Sequence, residues 1–163
     1  MYNIINYLEE NAKKYKNKIA VIEEDKKITY SDLEKNSKIV GSYFAKKNYF
    51  NKPIIIFMDK GIDTLISFFG SIYAGCFYSL VNPELPESRI NNIKNVLESK
   101  YVITNDEYYE LAKEYFGELE INNIKDLKKL KINEEALNLA RNNHIDYDPL
   151  YVNFTSGSTG IPK

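Results

Sequence analysis

Cysteine, histidine and arginine are all scarce in this sequence, and each scarcity closes off a class of function. Cys76 is the one cysteine, so no intramolecular disulfide can form and a disulfide-stapled secreted fold is excluded. His144 is the one histidine, which leaves no His/Cys cluster of zinc-binding type and no metal site to expect. The two arginines, Arg89 and Arg141, form no patch for bidentate phosphate or base contacts. Net charge is nearly absent as well: 22 basic against 23 acidic residues leave −1, without the positive field that draws nucleic acid. No nucleic-acid partner is expected. The most apolar window, residues 62–74, carries Asp63 and falls well short of a membrane span. Residues 1–10 lack the basic start and apolar centre of a signal peptide. A cytoplasmic protein without a membrane partner is the expectation.

What is present is enough for one domain with a core: 163 residues, 19.0 kDa and 44% hydrophobic side chains. Asn3 is placed to cap a first helix, with Ile4, Tyr7, Leu8, Ala12 and Tyr15 along one side. Two short extended runs, 18–23 and 27–30, flank the polar turn 24–26 and read as a hairpin. Ser31-Asp32-Leu33-Glu34 has the form of a capping box. Leu33, Ser37, Val40 and Phe44 then recur at helical spacing to about Lys47. From residue 50 the pattern becomes strand and helix in alternation. Ile54 to Phe57 is a continuous apolar run of the kind buried on both faces. A helix over 62–74 stops at Gly75, and a strand over 77–81 follows. Pro86 or Glu87 starts a helix with Ile90, Ile93 and Leu97, before a strand at 101–104. Thr104-Asn105-Asp106-Glu107 reads as a second capping box, opening a helix with Tyr108, Leu111, Ala112 and Tyr115 on one face, closed by Gly117. A strand at 119–121 and a helix near 134–142 complete the reading. Such alternation predicts an α/β fold: a mainly parallel sheet with helices on both faces, preceded by a short β-hairpin.

The chemistry is concentrated at Phe154-Thr155-Ser156-Gly157-Ser158-Thr159-Gly160-Ile161-Pro162-Lys163, which follows a strand-like run from Leu150. Glycine lets the backbone approach an anion, and successive N–H groups in a turn make an anion-binding concavity. The four hydroxyl residues add donors, and Lys163 adds a point charge. It is a phosphate grip but not a P-loop of the G-x-x-x-x-G-K-[ST] type, because Ile161-Pro162 separates Gly160 from Lys163. A kinase or GTPase reading through it fails.

Residues 154–163 closely resemble the phosphate-binding motif [YF]-T-S-G-[ST]-T-G-x-P-K of the adenylate-forming (AMP-binding) enzyme superfamily, matching every defined position. Thr29-Tyr30-Ser31-Asp32-Leu33 resembles its T-Y-x-E-L segment, with Asp for Glu. Ala74-Gly75, Asn82-Pro83, Pro86 and Arg89-Ile90 resemble its A-G…[DN]-P…P…R-I segment, with Leu80 where proline is usual and Phe77 where alanine is common. The resemblance covers essentially the whole chain. It implies an ATP-dependent ligase that activates a carboxylic acid as an acyl-adenylate, with magnesium assisting. The acyl group then passes to a thiol, on CoA or on a phosphopantetheinyl carrier protein. It also implies that Thr155, Ser156, Gly157, Ser158, Thr159, Gly160 and Lys163 contact the departing phosphates. No catalytic or metal-binding residue of the family matches elsewhere in the chain.

On this resemblance residues 1–163 are the N-terminal part of an AMP-binding domain, truncated within the phosphate-binding loop. The isolated chain is therefore expected to be inactive. The run Pro86-Glu87-Ser88-Arg89-Ile90 leans toward the amino-acid-activating branch, which includes D-alanine–carrier ligases. The alternative is a non-catalytic AMP-binding-fold module serving protein–protein interaction or regulation. Ordinary roles are expected for most other singular residues: Cys76 as a small buried hydrophobe, His144 at the surface, the 14 tyrosines in core and boundary packing. Glu9-Glu10, Lys13-Lys14 and Lys128-Lys129 read as solvated faces. Arg89 reads either as an ion-pair former on its helix or as an aid to orienting the nearby loop. The helix over 62–74 has large apolar residues on one side and Thr64, Ser67, Gly70 and Ser71 on the other. The small-residue side is expected to need a cover from beyond this chain, so the fragment is expected to self-associate through this helix or through an open sheet edge.

Overall fold

The computed structural model describes residues 4–143, 145 and 147–154. In chain order they form α1 (Ile4–Lys14), β1 (Ile19–Glu23), β2 (Lys26–Thr29), α2 (Tyr30–Ala45), β3 (Pro53–Phe57), α3 (Ile62–Tyr73) and β4 (Phe77–Leu80). There follow α4 (Glu87–Leu97), β5 (Tyr101–Thr104), α5 (Tyr109–Phe116), β6 (Glu120–Asn123), α6 (Ile124–Leu127) and α7 (Glu134–Asn142). β1 and β2 pair antiparallel as the expected hairpin. The other four strands make one parallel sheet in the order β4-β3-β5-β6. The α/β architecture read from the alternation is the one observed.

A strand without a polar side chain has to be covered on both sides, and β3 is: all five of its residues are buried. Ile54 and Ile56 join a core with α1, α2, α3, α6 and α7, whereas Ile55 and Phe57 join a second core with α4 and α5. Helices thus lie on both faces of the sheet. α3 ends in a Schellman turn, in which Cys76 N–H donates to Ser71 O and Gly75 N–H to Ile72 O, both at 2.9 Å. Gly75 takes φ +71° there, a backbone region that disfavours any Cβ.

Several local expectations need correction. α1 is rolled toward Ile5: Ile5, Leu8 and Ala12 are buried while Ile4, Tyr7 and Tyr15 are exposed. The cap assigned to Asn3 lies outside the described residues. α2 is capped two residues earlier than Ser31. Thr29 Oγ1 accepts from Asp32 N–H at 3.1 Å and donates to Asp32 Oδ2 at 2.7 Å, so the reciprocal pair is Thr29 and Asp32. Thr104 caps nothing, because it is buried in β5 and its hydroxyl donates to Phe57 O at 2.7 Å on the neighbouring strand. Asn105 instead accepts from Tyr108 N–H, and α5 starts only at Tyr109. The strand expected at 119–121 is β6, starting one residue later and running to Asn123.

The largest correction concerns α3. Its small residues need no cover from elsewhere, since Thr64, Ser67, Gly70 and Ser71 are all buried. Gly70 lies against α2, where an added Cβ would sit 2.6 Å from Val40 Cγ1, and a Cβ on Gly41 would sit 2.6 Å from Tyr73 Cβ. Small side chains here allow two helix backbones to approach. The large residues Ile62, Leu65, Phe68 and Phe69 are the half-buried ones.

Candidate functional site

Residues 150–152 continue the parallel sheet beyond β4. Tyr78 N–H donates to Leu150 O at 3.2 Å and Val152 N–H to Tyr78 O at 2.9 Å, making a parallel bridge between Tyr78 and Tyr151. Phe68 stacks on Tyr78 at 4.0 Å between ring centres, and the Tyr151 ring lies 6.0 Å from that of Tyr78. Val152 and Phe154 pack against the α4/α5 core. The chain therefore leaves the sheet at Phe154 along the same edge where β3, β4 and β5 end, the edge at which open parallel sheets bind ligands. The expected phosphate contacts Thr155, Ser156, Gly157, Ser158, Thr159, Gly160 and Lys163 lie outside the described residues, as does His144.

Arg89 lies in the first turn of α4. It has no ion pair among the described residues. Its Nη2 instead donates to Phe154 O at 3.5 Å, across 65 residues of sequence. Its Nε is buried and has no hydrogen-bond partner among the described residues. Sequence spacing gave no signal for this pairing beyond the short distance expected between the loop and α4.

A second feature of the same edge was not read from sequence. An open cleft of about 850 Å³ lies at the ends of β3 and β5, walled by the hairpin and lined by Glu23, Lys60, Asp63, Asn105 and Lys128 among others. It occupies the point where the crossovers switch faces, a usual ligand position. Here the attractive feature of that position, the N-terminus of α3, is already taken: Glu23 Oε2 accepts from Ile62 N–H at 2.6 Å. An added Cβ on Gly61 would meet that carboxylate at 2.7 Å. Asp63 is paired with Lys128 at 2.7 Å. With its helix terminus capped by the chain's own carboxylate and acidic groups in its wall, the cleft is a poor phosphate site.

The remaining polar clusters are structural. Glu9 is not simply solvated: Oε1 accepts from Arg141 at 2.7 Å and from the Tyr73 hydroxyl at 3.2 Å, joining α1, α3 and α7. Burial, followed by the Glu9 charge, holds the Tyr73 phenol protonated well above the usual range. The Tyr108 hydroxyl donates to Asp59 at 2.6 Å, and that bond pushes its pKa up to about 12. Cys76 is buried, its Sγ lies 2.6 Å from Tyr49 O, and burial pushes the thiol up to about 12. That environment makes it an inert thiol. Among the described residues no group of three or more His, Cys, Asp or Glu could hold a metal ion, and no helix is long and apolar enough to cross a membrane.

Comparisons with known proteins agree with this geometry. The chain is 34% identical over 166 residues to a D-alanine--D-alanyl carrier protein ligase of Staphylococcus aureus, covering 100% of this chain and 31% of that protein. The corresponding ligase of Staphylococcus haemolyticus is 29% identical over 164 residues, with the same coverage. The chain thus spans about 31% of the length of these curated relatives. Among solved structures, O-succinylbenzoate coenzyme A synthetase from Bacillus subtilis in complex with AMP shares the fold. Its TM-score is 0.78 at 20% identity, over 97% of this chain and 40% of that one. The sequence profile of the family described as AMP-binding enzyme matches residues 8–163. This chain belongs to the AMP-binding enzyme family.

Proposed function

We propose that residues 1–163 are the N-terminal part of an adenylation domain whose parent is an ATP-dependent acid–thiol ligase. In the first step a carboxylate oxygen of the acid attacks the α-phosphorus of ATP. The bond from that phosphorus to the bridging oxygen breaks, and pyrophosphate leaves. In the second step a thiol sulfur attacks the acyl carbon and AMP leaves. The thiol belongs to CoA or to a phosphopantetheinyl carrier protein. Residues Thr155, Ser156, Gly157, Ser158, Thr159, Gly160 and Lys163 hold the β- and γ-phosphates, and their donors suit an anion: hydroxyls, backbone N–H groups and one ammonium. None of the described residues is assigned to magnesium, which would accompany ATP.

The observation that supports this reading is the parallel bridge of Tyr151 to Tyr78, which brings the chain to Phe154, the first residue of the motif, at the carboxyl edge of the sheet. The relatives named as D-alanine ligases favour an amino acid as the activated acid, with a carrier protein as acceptor. A cytoplasmic location belongs to the same reading. So does self-association of the 163-residue chain, in which a second copy meets the edge at residues 150–152 that is open among the described residues.

ATP–pyrophosphate exchange by the complete gene product, with D-alanine first and then a panel of amino, short and aromatic acids, is the test. Exchange with an amino acid is expected. Absence of exchange with every acid would refute the reading and favour the non-catalytic module. Residues 1–163 alone are expected to show no exchange above background and weak ATP binding, because one loop leaves most of the nucleotide in water.

A further inference from the structure

Arg141 and Arg89 are the chain's only guanidinium groups, and they are used in opposite ways. Arg141 meets the Glu9 carboxylate at 2.7 Å, an ordinary ion pair. Arg89 is half-buried and has no carboxylate partner among the described residues, while its Nη2 reaches the carbonyl of Phe154. The nine residues that follow Phe154 contain no Asp or Glu, so they bring no counter-charge either. A partly buried cation and a buried, unpaired Nε–H are costly unless something anionic is drawn to the place. The cost is tolerated at a fixed position: Ile90, the next residue, is fully buried in the α4/α5 core, and Val152 and Phe154 pack on that same core. The guanidinium and the carbonyl are therefore held by one piece of hydrophobic packing.

We propose that Arg89 is a positioning residue for the phosphate-binding stretch: it holds the Phe154 carbonyl and sets a permanent positive charge where the chain enters residues 155–163. The inference deepens the ligase reading and rests on it for the identity of the anion, a phosphate group of a nucleoside triphosphate. A residue needed only for ion-pair stability would have a carboxylate beside it, as Arg141 does. Arg89 has a backbone carbonyl, which fixes geometry and leaves the charge available.

The test compares the complete gene product with its Arg89→Gln and Arg89→Lys variants by hydrogen exchange and by ATP–pyrophosphate exchange. In R89Q, peptides covering residues 152–156 are expected to exchange about tenfold faster while those of β3 do not change. Its KM for ATP is expected to rise about tenfold with the KM for the acid unchanged. R89K, which keeps the charge, is expected to return the KM for ATP to within about threefold of wild type. Unchanged hydrogen exchange over 152–156 in R89Q overturns the proposal. So does an equal rise in both KM values, or one that R89K fails to reverse, because each marks a general structural effect. A wild-type protein that activates no acid refutes the ligase reading; the role of Arg89 is then decided by hydrogen exchange alone.

Discussion

On one flank of α3, Gly70 lies so close to α2 that an added Cβ would fall 2.6 Å from Val40 Cγ1, while on the other Phe68 stacks on Tyr78 and Tyr151 stays 55% exposed. Side-chain size alone points the wrong way here. The bulky aromatic flank is half open and the Ser/Gly flank is sealed, because contact area depends on how closely backbones approach as well as on how much each residue carries. The sealed flank sets the stability of the fold. The open flank lies beside residues 150–152, which lead to Phe154.

The sharpest way to break this comparison is to cut each side to alanine. Phe44→Ala removes a fully buried ring on α2 that meets Tyr43 and Tyr101 edge-on, and is expected to cost about 3–5 kcal/mol in urea unfolding. Tyr151→Ala at the open edge is expected to cost under about 1 kcal/mol. Equal costs would mean that the edge is as integral as the seam. Next in size is Gly70→Ala, expected to destabilise by about 1–3 kcal/mol through overpacking, even though alanine is the better helix former. A stabilised G70A protein would show that the two helices separate at no cost.

Alkaline pH probes the sealed region more gently. Burial raises the Cys76 thiol from 9.0 to about 12, so the folded state holds this proton over a range where the unfolded state releases it. The associated stability is complete below pH 9.0 and is lost as pH rises toward about 12. A urea midpoint that falls across that window, with a shallower fall in Cys76→Ala, is the expected result. Native Cys76 should also resist alkylation at pH 8 until the chain unfolds, as read by mass spectrometry. The smallest effect on stability belongs to Tyr151→Lys. It is expected to leave the urea midpoint nearly unchanged yet to shift a light-scattering concentration series of the 163-residue chain toward monomer. A wild-type chain that is monomeric at every concentration removes the open edge as a self-association site.

Much of the fold was legible because its signals are local. The unbroken run in β3 announced two-sided burial, Gly75 marked the end of α3, and the helix at 134–142 appears as α7. What escaped was decided by distant partners. Whether Thr104 caps a helix or bonds across to Phe57 depends on a strand 47 residues away, and no composition rule separates the two. The Glu23 cap on Ile62 spans 39 residues and leaves no trace in either segment alone. Thr29-x-x-Asp32 and Ser31-x-x-Glu34 are nearly equivalent as patterns, and the hairpin's end point selects the first. The candidate site was legible only as a motif, hydroxyls, glycines and a lysine that suit an anion within ten residues, and Thr155 to Lys163 lie outside the described residues. The contact of Arg89 with the Phe154 carbonyl was only half legible, since the two residues are 65 apart in sequence.

The bridge between Tyr78 and Tyr151 also has a kinetic consequence. β3, β4, β5 and β6 are joined by crossovers that each close a short loop, so their pairing can proceed from neighbour to neighbour. Residues 150–152 must instead return across about seventy residues to reach β4, and they are held there by two backbone hydrogen bonds. Contacts of such high sequence separation form late and contribute the slow part of folding. This fifth strand is therefore expected to add after the four-stranded sheet exists and to open before any other strand, at a free energy below that of global unfolding. In a nascent or partly unfolded chain, the four-stranded sheet would stand while residues 150–152, and with them Phe154, had yet to dock.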